Sequence, residues 1–479
     1  MKKIGKLKTR SSQEIVKSKI GIGFECLDRQ MWDDNDEAYR LVGELGVKHA
    51  RVQTGWSRCE EVKGQYDFAW LDRVVNKLLE QGVQPWFNIG YGNIHHTDTE
   101  HPDAVGWAPI RSEESREGWK KYVKAVVLHF KDRITHYEVW NEPDISCFWV
   151  GGSDPDEYMD LLKMTVPVIR ENQSDAKIIG CAMARGLSWT GFGVLEKYLQ
   201  DGLVELIDVY SFHRYHVHPE LNRPCDFKAL RETFDAYGGQ HIKLWQAESG
   251  CPSQSATTQA LSNTPVNKEV QAKVLARSIL TDLSADLDYT CYFHFSDFKF
   301  YYRNGFCDVP NHFGLITFDN PPQCKPSYYT FQNLCTLFDD DTKLSPRTLI
   351  NMDFDGMNES KERYAFQMDI INMKCSAFEC NGKPLVAWWL PENLLPAYSE
   401  KEHFEAKDVN IYVWTPGEDM ERPVVIDPMT GDVLEPEISW DKGNIDIKPC
   451  MKLANVPLKD YPMIATDYET IKELIAEGV

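Results

Sequence analysis

The strongest constraint this chain places on its own fold is an alternation that starts at residue 20, where short β-rich runs take turns with longer amphipathic stretches. The runs are IGIGFECLD (20–28), VKHARVQTGW (47–56), VQPWFNIGYG (83–92), ITHYEVWNEPD (134–144), AKIIGCAMA (176–184), LIDVYSFHRYH (206–216), HIKLWQAESG (241–250) and LDYTCYFHFSDF (287–298). The stretches between them carry apolar residues at three- and four-residue spacing, and several begin near Asp, Ser or Pro and stop at Gly. Phe68, Leu71, Val74, Val75, Leu78 and Leu79 make one such face, closed by Gly82. Eight βα units in about 320 residues are the count of a closed (β/α)8 TIM barrel, expected here over residues 18–338. An open doubly wound sheet would want a GxGxxG turn after its first strand, and the first run has none.

Beyond residue 339 the pattern changes. Segments such as DVNIYVWTP, RPVVIDPMTGDVLEPEIS and YPMIATD are short, alternate with a period of two and are split by NG, TG and DKGN turns. They predict an antiparallel β-sandwich over residues 339–479, with residues 1–17 available to add a strand. Trp388, Trp389, Trp414 and Trp440 make a carbohydrate-binding module conceivable. Two adjacent tryptophans on a strand point to opposite faces, however, so at least one is buried and structural support is the better reading.

A formal charge of -21, with no basic patch interleaved with aromatics, sets the chain against nucleic acid and anionic membranes as partners. No apolar stretch reaches 18 residues, and the basic N-terminus lacks the apolar core of a signal peptide. Thirteen cysteines, an odd number without a CxxC pair, fit reduced buried thiols in a cytoplasmic protein. The acid-rich composition permits a soluble homo-oligomer without requiring one.

In a closed barrel the polar residues that end the strands converge on one cleft. They are Glu25 and Asp28 from the first run, Arg51 and Gln53 from the second, Asn88 and Tyr91 from the third, and Asn141 and Glu142 from the fourth. The sixth gives His213 and Tyr215, the seventh Gln246 and Glu248, and the eighth His294 and Asp297. In YEVWNEPD, Pro143 stops the strand, which leaves Asn141 and Glu142 at its mouth.

Glu142 and Glu248 close the fourth and seventh strands on opposite sides of the ring. Glycosidic cleavage needs one carboxylic acid to protonate the leaving oxygen and a second group to meet the oxocarbenium ion, and a retaining enzyme holds the two about 5 to 5.5 Å apart. Asn141 offers a donor and an acceptor to a neutral hydroxyl. Arg51 is expected to orient Glu248 and keep its pKa low, with Tyr215 adding a hydroxyl donor. A lone Glu at a strand end is ordinarily a salt-bridge or cap residue; it is the pair that carries the signal.

Tryptophan is ordinarily core bulk, but sugar C–H faces pack on indole rings. Trp56 and Trp149 follow the ends of the second and fourth strands and are expected to line sugar subsites, whereas Trp70 and Trp119 lie in helical patterns. A metal site is disfavoured, because strand alternation sends His213 and His216 to opposite faces and no HExxH, Walker A or EF-hand pattern occurs. No cofactor is expected. His213 and His294 read as polar cleft residues, and His95 or His96 as a loop donor to substrate.

These segments resemble glycoside hydrolase clan A, and most of all family 39, which includes β-xylosidases and α-L-iduronidases. WNEPD is similar to the acid/base segment and WQAESG to the nucleophile segment, which puts Glu142 and Glu248 in those roles. ARVQTGW carries the clan's arginine, SFHRYH is similar to its sixth strand, and GLITFDNPPQCKPSYYTFQNL to the close of its barrel. The resemblance implies a retaining double displacement and an accessory sandwich. One departure is Phe295 in YFHFSDF, where many members carry Trp; Arg303, in the loop beyond, offers a contact to an acidic sugar or a surface ion pair. The expectation is a retaining, exo-acting hydrolase of a small β-glycoside. A non-catalytic sugar-binding protein on the same barrel and a transglycosylase are the alternatives.

Overall fold

The computed structural model describes residues 1–152, 154–221, 224–303, 306–339, 342–353, 371–395, 406–441 and 447–476. Strand β1 (Lys2–Leu7) precedes a barrel made of β2 (Ile20–Gly23), β3 (His49–Gln53), β4 (Gln84–Ile89), β5 (His136–Val139), β6 (Lys177–Met183), β7 (Val209–Arg214), β8 (Lys243–Ser249) and β9 (Tyr289–Tyr292). Each barrel strand pairs in parallel with the next, and β2 closes the ring on β9. All eight β-rich runs supply one strand each.

The first and last strands use less than half of their runs, because the chain leaves the ladder to build the floor of a cleft. Past Gly23 and Tyr292 the two runs are joined by single bonds instead, Phe295 N to the Gly23 carbonyl at 3.0 Å and Glu25 N to His294 Nε2 at 2.7 Å.

Helices cover the outside of the ring for the reasons their sequences suggest. The helix Ala69–Glu80 buries Leu71, Val74, Val75 and Leu78, and Gly82 takes the left-handed conformation that ends the segment. Ser112 and Ser115 form a reciprocal cap at the start of the helix Glu113–Phe130. Inside the ring, Trp86, Ile179, Val209, Ala247, Tyr289 and Cys291 form an apolar plug. The Arg51 guanidinium lies over Trp86, 5.7 Å from the ring centre, so a charged layer rests directly on the plug.

The sandwich pairs an eight-stranded antiparallel sheet with a four-stranded one. In the larger sheet β1 lies between the strands Asp432–Glu435 and Ile475–Ala476, which ties the N-terminus to the last third of the chain. Trp388 and Trp389 are both buried, on opposite faces of the strand Lys383–Trp389. Trp388 joins the sandwich core, while Trp389 joins the barrel's core and donates from Nε1 to Glu220 at 2.7 Å. One strand therefore fastens the two halves together. Among the described residues no helix is long and apolar enough to cross a membrane. None of the eleven described cysteines is in a disulfide.

Candidate active site

Arg51, in the middle of β3, is wholly buried and makes five hydrogen bonds from one guanidinium. Nε and Nη2 reach Glu138 Oε2 at 2.8 and 2.5 Å, and Nη2 also reaches Asn141 Oδ1 at 2.7 Å. Nη1 is shared between Glu25 Oε2 and Glu248 Oε2, each at 2.9 Å. Glu138 is braced in turn by Asn88 Nδ2 at 2.9 Å and by the Ser211 hydroxyl at 2.6 Å. One cation on the plug thus fixes four groups from three other strands, β2, β5 and β8.

Glu142 follows β5, and Glu248 lies near the end of β8. Each is less than a tenth exposed. His213 Nδ1 bridges them, 2.9 Å from Glu142 Oε1 and 3.4 Å from Glu248 Oε2. The His213 nitrogen and one oxygen from each carboxyl all lie within 4.8 Å of one another. At an effective dielectric constant of about 20, two carboxylates at that separation repel by roughly 3.5 kcal/mol, or about 2.5 pKa units. Ionising both at once is therefore opposed. The Tyr215 hydroxyl donates to the second oxygen of Glu248. The backbone turns sharply here, with Glu142 at φ 46 and Trp140 at φ 70; Asp144 stabilises the turn by accepting from the amides of Ala184 and Arg185 at 2.9 and 2.8 Å.

Both glutamates open into a cavity of about 420 Å³. Its walls include Phe148, Tyr215, Phe293, Tyr301, Asn311 and Phe313.

The charge balance at the floor is unusual. Burial pushes the Glu25 carboxyl up to about 8, against the pull of Arg51. Burial also raises Glu248, with Glu142 adding to the rise, while His213, Arg51 and Tyr215 oppose it. The low pKa expected for Glu248 is thus corrected: Arg51 is divided among three carboxyls, and desolvation outweighs its share. His213 is lowered, chiefly by burial, and stays a neutral imidazole. Glu142, His213 and Glu248 form the one group among the described residues able to ligate a small cation. The guanidinium 2.9 Å from Glu248 already supplies positive charge to that set and disfavours a second cation.

The model of glycosyl hydrolases family 39 matches residues 24–345, two thirds of the chain. The chain belongs to glycosyl hydrolase family 39. It is similar to the β-xylosidase of Geobacillus stearothermophilus, 22% identical over 306 residues that span 57% of this chain and 56% of that protein's length. A family 39 glycoside hydrolase from the gut symbiont Bacteroides cellulosilyticus WH2 superposes with a TM-score of 0.64 at 19% identity, over 94% of this chain and 80% of that one. The monomeric β-xylosidase from Caulobacter crescentus CB15 does so with a TM-score of 0.57 at 15% identity, over 96% and 97%. Both superpositions show a shared fold.

Of the candidate site residues read from the sequence of this family 39 chain, the tertiary structure brings together Arg51, Asn141, Glu142, His213, Tyr215 and Glu248. Five others are placed elsewhere. Trp56 is wholly buried, stacked on Tyr122 and His96 with Nε1 on Glu60 at 2.6 Å, so it presents no face to sugar. Trp149 is equally buried, with Nε1 on Glu157 at 2.7 Å. The loops after β3 and β5 fold back over the helices, and a large apolar side chain there gains more from burial than from lining a wet rim.

His96 lies beneath Trp56 against Glu60 Oε1 at 2.9 Å. His95 lines a separate cavity and contacts the Glu61 carbonyl at 3.0 Å. His294 is wholly buried, accepting from Glu25 N, and braces the floor of the cleft without reaching it. Asp297, another strand-end acid, is spent on Lys325 Nζ at 2.6 Å. Phe293, not Phe295, lines the cavity, since Phe295 stacks on Phe24 inside the core. The side chain of Arg303 lies outside the described residues.

Glu138 escaped the reading of the strand ends. Its signal was present in YEVW: an ionisable residue inside a barrel strand can be buried only with a partner, and the same period placed it on the side of Trp140.

Proposed function

We propose that this family 39 chain hydrolyses the end sugar of a β-linked glycoside by double displacement, with Glu248 as nucleophile and Glu142 as acid/base. The observation that carries the proposal is the separation of at most 4.8 Å between oxygens of two buried carboxyls in one cavity. That spacing suits a retaining pair and leaves too little room for the water an inverting pair must hold. Glu248 takes the nucleophile's role because both its oxygens have donors, Arg51 on one and Tyr215 on the other. Those donors stabilise the carboxylate that must leave in the second step.

In the first step Glu248 attacks the anomeric carbon while Glu142 gives its proton to the leaving oxygen. In the second, Glu142 takes a proton from water as it displaces Glu248 from the glycosyl ester. Neutral His213 holds the two carboxyls in register, and Asn141, fixed by Arg51, presents its amide to a ring hydroxyl. The similarity to β-xylosidases supports a β-linked substrate, and buried cysteines outside any disulfide support a reducing compartment.

The test is a panel of 4-nitrophenyl β-xyloside, β-glucoside and β-galactoside. Glu248→Ala is expected to remove at least ~10³ of kcat, and azide should rescue it with a product of inverted anomeric configuration. Glu142→Ala is expected to be milder on aryl leaving groups that need no protonation. If both variants match the parent on a glycoside that the parent cleaves, the site is misassigned.

A further inference from the structure

The cavity that holds Glu142 and Glu248 has two unlike walls. One is built by the segments that follow β5 and β6 and presents Ile145, Cys147, Phe148 and Ala184 beside Glu142. The other is built by the segments that follow β8 and β9, the latter strand standing opposite β5 in the ring. It presents Gln259, Tyr301 and Asn311 between the rings of Phe293 and Phe313.

The second wall is equipped for a sugar. Asn311 Oδ1 accepts from Phe313 N at 3.0 Å, which leaves its Nδ2 as a donor, and Gln259 Nε2 donates to the Val309 carbonyl at 3.5 Å, which leaves its Oε1 as an acceptor. Amide groups, the Tyr301 hydroxyl and flat aromatic rings together suit a polyol.

The first wall lacks this equipment. Its side chains carry no hydrogen-bonding group beyond the weak one of the Cys147 thiol. Its main chain is committed as well. Ile145 N donates to the Glu142 carbonyl at 3.3 Å, Phe148 N to the Ile145 carbonyl at 3.1 Å and Ala184 N to Asp144 Oδ1 at 2.9 Å, while the Phe148 carbonyl accepts from Trp140 Nε1 at 2.8 Å. One face of the Phe148 ring is covered by Tyr91, nearly parallel with ring centres 5.7 Å apart. A sugar hydroxyl pressed against this wall would lose water without gaining a partner, whereas a hydrocarbon would gain from the same burial.

Double displacement decides which part of the substrate meets which wall. Glu248 attacks the anomeric carbon from the side opposite the bond that breaks, so the departing oxygen and the group it carries lie toward Glu142, which protonates that oxygen. The leaving group therefore rests on the apolar wall. We propose that the group joined to the sugar is an apolar alcohol, aliphatic or aryl, rather than a second sugar, and that Ile145, Cys147, Phe148 and Ala184 select it. The orientation rests on the hydrolase reading, but the preference is measurable without turnover.

Calorimetry on the Glu248→Gln protein, with methyl β-xyloside, butyl β-xyloside and xylobiose as one set and the corresponding glucosides and cellobiose as the other, provides the measurement. A methylene taken fully out of water is worth about fourfold in affinity, so three of them, half-buried, give on the order of tenfold. For at least one of the two sugars the butyl glycoside is expected to bind ~10-fold more tightly than the methyl glycoside, and more tightly than the disaccharide. Ile145→Asn, at a half-buried position, should bring the butyl-to-methyl ratio toward one, and Ile145→Val should keep it. The proposal is overturned if neither butyl glycoside gains on its methyl counterpart, if the disaccharide of the preferred sugar matches or exceeds the butyl glycoside, or if the gain survives Ile145→Asn. Aryl glycoside cleavage without a butyl gain would sink the apolar leaving group and spare the hydrolase reading. A butyl gain removed by Ile145→Asn, in a protein that cleaves no glycoside, would do the reverse.

Discussion

Arg51 Nη1 stands 2.9 Å from Glu248 Oε2, and the same nitrogen stands 2.9 Å from Glu25 Oε2. A single buried NH2 group thereby couples the proposed nucleophile to a carboxyl with no part in the proposed chemistry, while the rest of the guanidinium holds Glu138 and Asn141. Lysine cannot reproduce this fork, having one nitrogen and no fixed plane. Arg51→Lys is expected to lower kcat/KM on a cleaved aryl glycoside by on the order of 10²-fold and to cost about 3 kcal/mol of stability. Steady-state kinetics and urea titration together measure it; a variant within threefold of the parent in kcat/KM would remove Arg51 from the site.

Tyr215 gives a pH signature. Burial, reinforced by the neighbouring Glu248 charge, keeps the phenol protonated, so it remains a donor across the working range. Its hydrogen bond lowers the pKa of Glu248. Without it the carboxylate loses a stabilising partner and its pKa rises. Because the nucleophile acts ionised, Tyr215→Phe should move the acidic limb of the kcat/KM profile to higher pH, with kcat down by roughly tenfold. An acidic limb that stays in place or moves down would contradict the assignment of that limb to Glu248.

Glu25 links the same network to stability. An unfolded glutamate ionises near 4.5, and the buried one keeps its proton up to about 8. Between those values the folded chain binds more protons than the unfolded chain, so this residue makes stability fall as pH rises. Glu25→Gln, which mimics the protonated form, should flatten that fall by roughly 1–3 kcal/mol between pH 5 and pH 8. Melting temperatures of parent and variant across that range read the difference directly; parallel curves would show that Glu25 titrates elsewhere.

The buried tryptophans separate packing from binding. Trp149→Phe leaves a void and strips Glu157 Oε2 of a donor at 2.7 Å, at an expected cost of about 2–3 kcal/mol. Its KM for an aryl glycoside should stay within about twofold of the parent. A tenfold rise in KM with unchanged stability would return Trp149 to the sugar site.

How much of this was legible in the sequence depended on where periodicity held. Inside the barrel strands and their helices, the spacing of apolar residues is itself the physical cause of the fold, so eight runs became eight strands and Leu71, Val74, Val75 and Leu78 became a buried face. Glu142 and Glu248 could be paired from the sequence because closing a ring of eight brings the fourth and seventh ends to one rim, whatever the loops do.

Past the ladder no period constrains a side chain, and its direction is chosen by contacts hundreds of residues away. His294 turned inward because Glu25 N, 269 residues earlier, needed an acceptor. Trp56 turned outward onto Tyr122, and Asp297 was claimed by Lys325. The division of one guanidinium among Glu25, Glu138 and Glu248 likewise arises only in three dimensions. Desolvation and hydrogen-bond supply are properties of the assembled interior, and a linear order of residues does not contain them.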